Sequence, residues 1–182
     1  VAAFCIVVAS PALVSSSCAT PKTEQEDTTI IREDSGITAL KYSSPEVPAS
    51  IEFCGKTIDL SRFDRHERMD RELLAFTYMH STSLQMLKKA NRYFPIVEPI
   101  LKENGIPDDF KYLMVIESNM NPTARSSAGA AGLWQFMQGT GRDYGLEVNN
   151  NVDERYHIEK ATRAACRYLK DAYAKYKDWV AV

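Results

Sequence analysis

The chain has 182 residues, 45% of them hydrophobic, which is enough apolar material for one domain of ordinary size and too little length for two large ones. Its 22 lysines and arginines against 24 acidic residues give a formal charge of −2, so no basic field marks a nucleic-acid surface. The three histidines, His66, His80 and His157, are scattered, and no Cys/His cluster has metal-ligand spacing, so no metal site is expected.

The chain begins at Val1 and reads as a fragment or a processed form. Residues 1–18, "VAAFCIVVASPALVSSSC", hold an apolar stretch of the length of a signal-peptide core, too short and interrupted to span a bilayer well. The basic flank of such a signal is missing. Ser15 to Cys18 resembles a lipoprotein processing site, with Ser15 where an aliphatic residue is usual; Cys18 is then the lipidated first residue and a membrane anchor. A buried or unstructured cysteine after an ordinary signal is the alternative. Residues 19–50 are rich in Thr, Ser, Pro and acidic residues without a sustained period, and predict a flexible tether.

Residues 51–95 predict an N-terminal helical segment preceded by a short hairpin, "SIEFCGKTIDL", turning at Gly55. Met69, Leu73, Phe76, Met79, Leu84, Leu87 and Ala90 recur at three to four residues, one buried face of a long helix or helix pair that runs to Tyr93. "FPIVEPILKENGIPDDFKYLMVIES" carries two further helices: Lys102 to Gly105 is a stop, and Pro107-Asp108-Asp109 starts a helix to about residue 118. Ile158, Ala161, Ala165, Leu169, Ala172, Tyr176 and Val180 predict a last amphipathic helix, with Asp153 or Glu154 near its start, still in phase at Val182. The expected class is all-α. Of the cysteines beyond Cys18, Cys54 and Cys166 read as two half-buried thiols, with a disulfide as the alternative in an oxidising compartment.

On the helix from Pro107, Phe110, Leu113, Met114 and Glu117 fall at i, i+3, i+4 and i+7, which places the Glu117 carboxyl on the apolar stripe. Desolvation and the negative helix end both oppose its ionisation, so a carboxyl that keeps its proton, as a general acid must, is expected there. A structural carboxyl is the plain alternative. Asn119, Asn121 and Pro122 break the helix at once and set Glu117 at a loop mouth. "SSAGAAG" (126–132) lets backbone approach a bulky ligand, or serves tight packing, or is a flexible loop. Gln135 and Met137 add an amide and a thioether beside Trp134 and Phe136, which read as core residues with a second possible use as sugar-binding surface.

Glu117-Ser118, Asn121-Pro122, Ala124, Ser126, Ala128-Gly129-Ala130, Gly132 to Met137 and Thr140-Gly141 resemble the goose-type-lysozyme-like lytic transglycosylases, and most closely their membrane-bound D-type branch. The likeness spans about residues 70–182, and the catalytic domain is expected at 96–182. The resemblance implies a lysozyme-like helical fold, peptidoglycan glycan strands as substrate, a bacterial envelope location and no cofactor. It implies Glu117 as acid and base, Ser126, Gln135 and Met137 as glycan contacts, and Ser118 as a residue ordering the helix end. The family continues into an Ala-Tyr-Asn-x-Gly segment that this sequence does not reach, so the fold is expected to lack its C-terminal part. Gln138 stands where proline is common. Ordinary glycosidases need two carboxylates; Asp153 and Glu154 are candidates for a second, although a sugar's own C6 hydroxyl makes a second one unnecessary. A hydrolase on the same fold, a non-catalytic glycan-binding module and a helical interaction protein are the competing readings.

Overall fold

The computed structural model describes residues 44–182. The leader at 1–18 with Cys18, and residues 19–43 of the expected tether, lie outside them. A hairpin opens the described chain: β1 (Ser50–Phe53) pairs antiparallel with β2 (Lys56–Asp59), Ile51 facing Ile58 and Phe53 facing Lys56. Its two-residue turn, Cys54-Gly55, has φ of 50° and 74°. Two left-handed residues give the turn twist that matches twisted strands, and only Gly55 adopts it without cost. The Cys54 N–H offsets its strain by donating to Asp109 Oδ2 at 2.7 Å. Phe53 packs 6.5 Å from Phe110, which lies 5.4 Å from Trp179, and Lys56 Nζ reaches Asp178 at 2.6 Å. Among the described residues the fold is mostly helical, as expected, with the small hairpin that the sequence also suggested.

Helix α1 (Phe63–Tyr78) and helix α2 (His80–Glu103) meet at Met79, whose ψ of 46° interrupts the helical path. The break explains why the single predicted stripe fails halfway. Met69 is buried and Leu73 and Phe76 half-buried, but Leu84 and Leu87 are 60% and 48% exposed. Beyond Met79 the phase restarts: Ala90 is buried as predicted, but Ser83, Met86, Tyr93 and Val97 turn inward with it in place of Leu84 and Leu87.

Helix α2 also runs unbroken through Pro95 and Pro99, where the sequence predicted a new helix. Each proline removes one backbone donor, which leaves a carbonyl four residues earlier without its helical partner. Both prolines face solvent, one turn apart. The orphaned carbonyls are on the wet side, while Val97 and Leu101 are fully buried on the other. At its end the predicted stop is in place. Gly105, at φ 66°, donates to Lys102 O, and the Ile106 N–H returns to Leu101 O, the paired bonds of a Schellman cap.

A 3-10 turn (Asp108–Tyr112) leads into helix α3 (Leu113–Ser118); helix α4 (Gln138–Asp143) follows the long loop, and a second 3-10 turn (Glu154–Tyr156) precedes helix α5 (Ile158–Tyr176). Alanines at 161, 164 and 165 let α5 approach α2 closely, so that Cys166 Sγ lies 4.0 Å from Ile100 O. Helix α5 does not continue to Val182. Lys177 takes a left-handed φ of 56°, its N–H caps Tyr173 O, and Trp179 folds back to stack on Tyr173 at 4.1 Å. His157, not Asp153 or Glu154, caps α5, its ring nitrogen accepting from the Lys160 N–H. Among the described residues no helix is long and apolar enough to cross a membrane.

Candidate active site

Glu117 is exposed, which corrects the expectation that its carboxyl is held away from water. The helical count assumed one α-helix from Pro107. The first five residues wind instead as a 3-10 turn, which advances the chain by about 120° per residue where an α-helix advances about 100°. Phe110, Tyr112, Met114 and Val115 become the inward residues, and Glu117 lies about 200° round α3 from Val115.

The helix carrying Glu117 ends abruptly and is held at its end. Asn119 and Met120 both have left-handed φ, 49° and 52°, and the Met120 N–H donates to Met114 O at 2.9 Å. Lys89 Nζ donates to Asn119 O at 2.9 Å. Ser118 Oγ lies 3.0 Å from both Met114 O and Leu133 O, so its proton joins the helix end to the following loop.

That loop is built around Arg155. The guanidinium, 2% exposed, grips Asp153 through Nε and Nη2 at 2.9 and 2.7 Å, and its Nη1 donates to Gly129 O at 2.8 Å and Phe136 O at 2.9 Å. Gly132, at φ 80°, passes so close that an added Cβ would stand 1.9 Å from Arg155 O. The close approach that the small residues permit at Gly132 is thus backbone on backbone, the packing alternative. Ser126 closes the tip of the loop, its hydroxyl accepting from the Ala130 N–H at 3.0 Å.

Glu117 opens onto a cleft of about 300 Å³ that it shares with Gln135, Met137, Thr140 and Tyr168, floored by Trp134 and Phe136. Gln135 holds its amide nitrogen against Gly132 O at 2.8 Å and Ala124 O at 3.3 Å, which leaves the amide oxygen to accept from a ligand. Met137 is 45% exposed and presents its thioether to the cleft. Trp134 and Phe136 are buried core residues whose edges reach the floor; Trp134 Nε1 donates to Thr162 Oγ1 at 3.0 Å. Of the residues singled out from sequence, Glu117, Gln135 and Met137 come together here, whereas Ser118 and Ser126 do not line the cleft. Tyr168 and Thr140 were missed. Tyr168 lies one turn beyond Ala164 and Ala165 on α5, in phase with the alanine stripe, where an aromatic residue reads as one more core position.

Among the described residues that line the cleft, Glu117 is the sole carboxylate. The two other candidates are committed elsewhere. Hydrogen bonds from Arg155, aided by its charge, hold the Asp153 carboxyl below its ordinary range against the opposing effect of burial. Glu154 is likewise held down, first by Lys160 and then by the Glu147 N–H at 2.8 Å. No group of three or more potential metal ligands occurs among the described residues. Cys54 and Cys166 are not joined, and burial pushes the Cys166 thiol up to about 11.

Part of the sequence is shared with known proteins. Over 104 residues, 57% of this chain, the sequence is 32% identical to membrane-bound lytic murein transglycosylase D of Escherichia coli (strain K12), and to the same degree to that of Escherichia coli O6:H1 (strain CFT073). The match spans 22% of the length of those relatives. A protein of Alteromonas sp. (strain M-1) named for tributyltin chloride resistance is 22% identical over 103 residues, 56% of this chain and 50% of its own. The transglycosylase SLT domain model matches residues 95–182, the part that contains Glu117, its loop and its cleft.

Proposed function

We propose that the protein is a peptidoglycan lytic transglycosylase that cleaves the β-1,4 bond between N-acetylmuramic acid and N-acetylglucosamine and leaves a 1,6-anhydro end. The observation that carries the reading is the single carboxylate in the cleft. Glu117 gives its proton to the leaving glycosidic oxygen as the C1–O bond breaks. The C6 hydroxyl of the same muramic acid ring then bonds to C1, and the Glu117 carboxylate takes the C6 proton, so the acid is regenerated and no water is consumed. Because nucleophile and electrophile share one ring, orientation replaces the second carboxylate that positions water in a hydrolase. The bound glycan excludes water from the exposed Glu117 while the proton is transferred.

Gln135 and Met137 contact the glycan, the amide oxygen accepting from a hydroxyl or acetamido N–H. Ser126 stands at the loop tip with its hydroxyl proton available to the sugar, and Ser118 keeps the helix end in register. The division into a leader, a tether, an N-terminal segment and a lysozyme-like catalytic domain belongs to the same reading. So does an exported, periplasmic location with an anchor at Cys18, in keeping with relatives named membrane-bound.

Purified cell walls incubated with the protein and with Glu117→Gln test it, with mass analysis of the released fragments. Anhydro ends from the first and none from the second are expected. Fragments heavier by one water would make it a hydrolase, and undiminished release by Glu117→Gln would remove Glu117 from the mechanism.

A further inference from the structure

Tyr168 is the cleft residue that neither the motif nor the mechanism uses. It stands on α5 one turn beyond Ala164 and Ala165 and on the same side of the helix, where it lines the cleft with Glu117 and Gln135 and is 47% exposed. Its ring is nevertheless fixed. Phe136 meets it at 6.4 Å and 85°, and Tyr144 at 5.4 Å and 77°, both edge to face. These contacts come from the catalytic loop on one side and from the end of α4 on the other, so the ring is immobilised before any ligand arrives. A phenol held rigid yet half open loses little conformational freedom on binding and offers an apolar face.

Resting on the reading above, we propose that Tyr168 is the stacking platform that seats one pyranose ring of the glycan against the cleft wall and thereby aligns it with Glu117. The C–H face of a pyranose is the ligand chemistry that suits such a surface, with Gln135 supplying the polar contact. The ring, not the hydroxyl, carries the effect. Covering about 55 Å² of apolar surface at about 25 cal/mol per Å² corresponds to roughly tenfold in affinity.

The test measures binding of a soluble β-1,4-linked N-acetylglucosamine pentamer by calorimetry, in the full chain carrying Glu117→Gln so that no turnover interferes. Adding Tyr168→Ala is expected to weaken binding about tenfold, with Tyr168→Phe restoring it. Tyr168→Leu, which keeps part of the apolar area without a flat aromatic face, is expected to bind more weakly than phenylalanine and more tightly than alanine, and serves where the alanine variant does not fold. Unchanged affinity in the alanine or leucine variant overturns the proposal, as does equal weakening in the phenylalanine variant. Anhydro fragments released normally by Tyr168→Leu, together with unchanged pentamer affinity, remove the platform and leave the proposed reaction standing. Ring-dependent pentamer binding by a chain that releases no fragments removes the reaction and leaves the platform.

Discussion

Gly132→Ala is the sharpest test of how the loop that follows Glu117 is held. At φ 80° an alanine pays left-handed strain of roughly 1 kcal/mol. The larger effect is steric. The new Cβ stands 1.9 Å from Arg155 O and 2.8 Å from Arg155 C, and both are backbone atoms with no rotamer to escape into. Arg155 must withdraw by more than 1 Å, and its Nη1 bonds to Gly129 O and Phe136 O, at 2.8 and 2.9 Å, stretch beyond hydrogen-bonding range. Hydrogen bonds from a charged donor contribute about 1.5–3 kcal/mol each, so the total loss is on the order of 4 kcal/mol, a large part of a typical domain's stability. Gly129→Ala is the control: its φ is 90°, but an added Cβ there meets nothing within 4 Å, so only the strain remains. Urea unfolding followed by far-ultraviolet circular dichroism separates the two. A cost for Gly132→Ala no greater than for Gly129→Ala would refute the reasoning.

Ser118→Ala removes the link between α3 and Leu133 O and is expected to cost about 1 kcal/mol in urea unfolding, with a lower kcat on cell walls and little change in KM. Arg155→Met leaves Asp153 without its partner in a largely buried place and is expected to cost roughly 3–5 kcal/mol, measured by thermal melting. Because Arg155 depresses the Asp153 pKa below its ordinary 3.8, that ion pair's contribution is present above pH 3.8 and is lost as pH falls through the lower folded value; Asp153→Asn should flatten this acid limb of the melting profile. The Cys166 thiol, raised from 9.0 to about 11, works in the opposite sense. Its contribution is complete below pH 9 and is lost as pH rises to about 11, so Cys166→Ala should lessen alkaline destabilisation, and native protein should leave this thiol unreactive toward alkylating reagents at neutral pH.

Local chemistry made the hairpin and the Gly105 stop legible, since Cys54-Gly55 and Lys102 to Gly105 each carry a turn glycine at the required place. The cleft residues Glu117, Gln135 and Met137 were legible through ordered spacing and family likeness together. What stayed hidden depends on three dimensions. The two prolines of α2 looked like a boundary because sequence does not say which side of a helix faces water. Glu117 looked buried because five residues of 3-10 winding are invisible to a 3.6-residue count. Gly132 read equally as room for a ligand or as tight packing because its neighbour, Arg155, arrives from 23 residues further along the chain. Lys177 ended α5 without glycine or proline, its left-handed turn stabilised by Trp179 folding back onto Tyr173.

Helix α2 carries a practical lesson for anyone trimming this protein. The family match begins at residue 95, but the rod it enters starts at His80, and Met86, Ala90 and Tyr93 on its earlier turns belong to the same core as Leu133 and Trp134. A recombinant piece cut at the match boundary would begin in mid-rod on a proline and would strip three residues from the core that Trp134 of the cleft also joins. It would also discard the hairpin whose Phe53 shields Phe110. A piece that keeps the hairpin from Ser50 onward is therefore expected to unfold at higher urea than one that begins at residue 95.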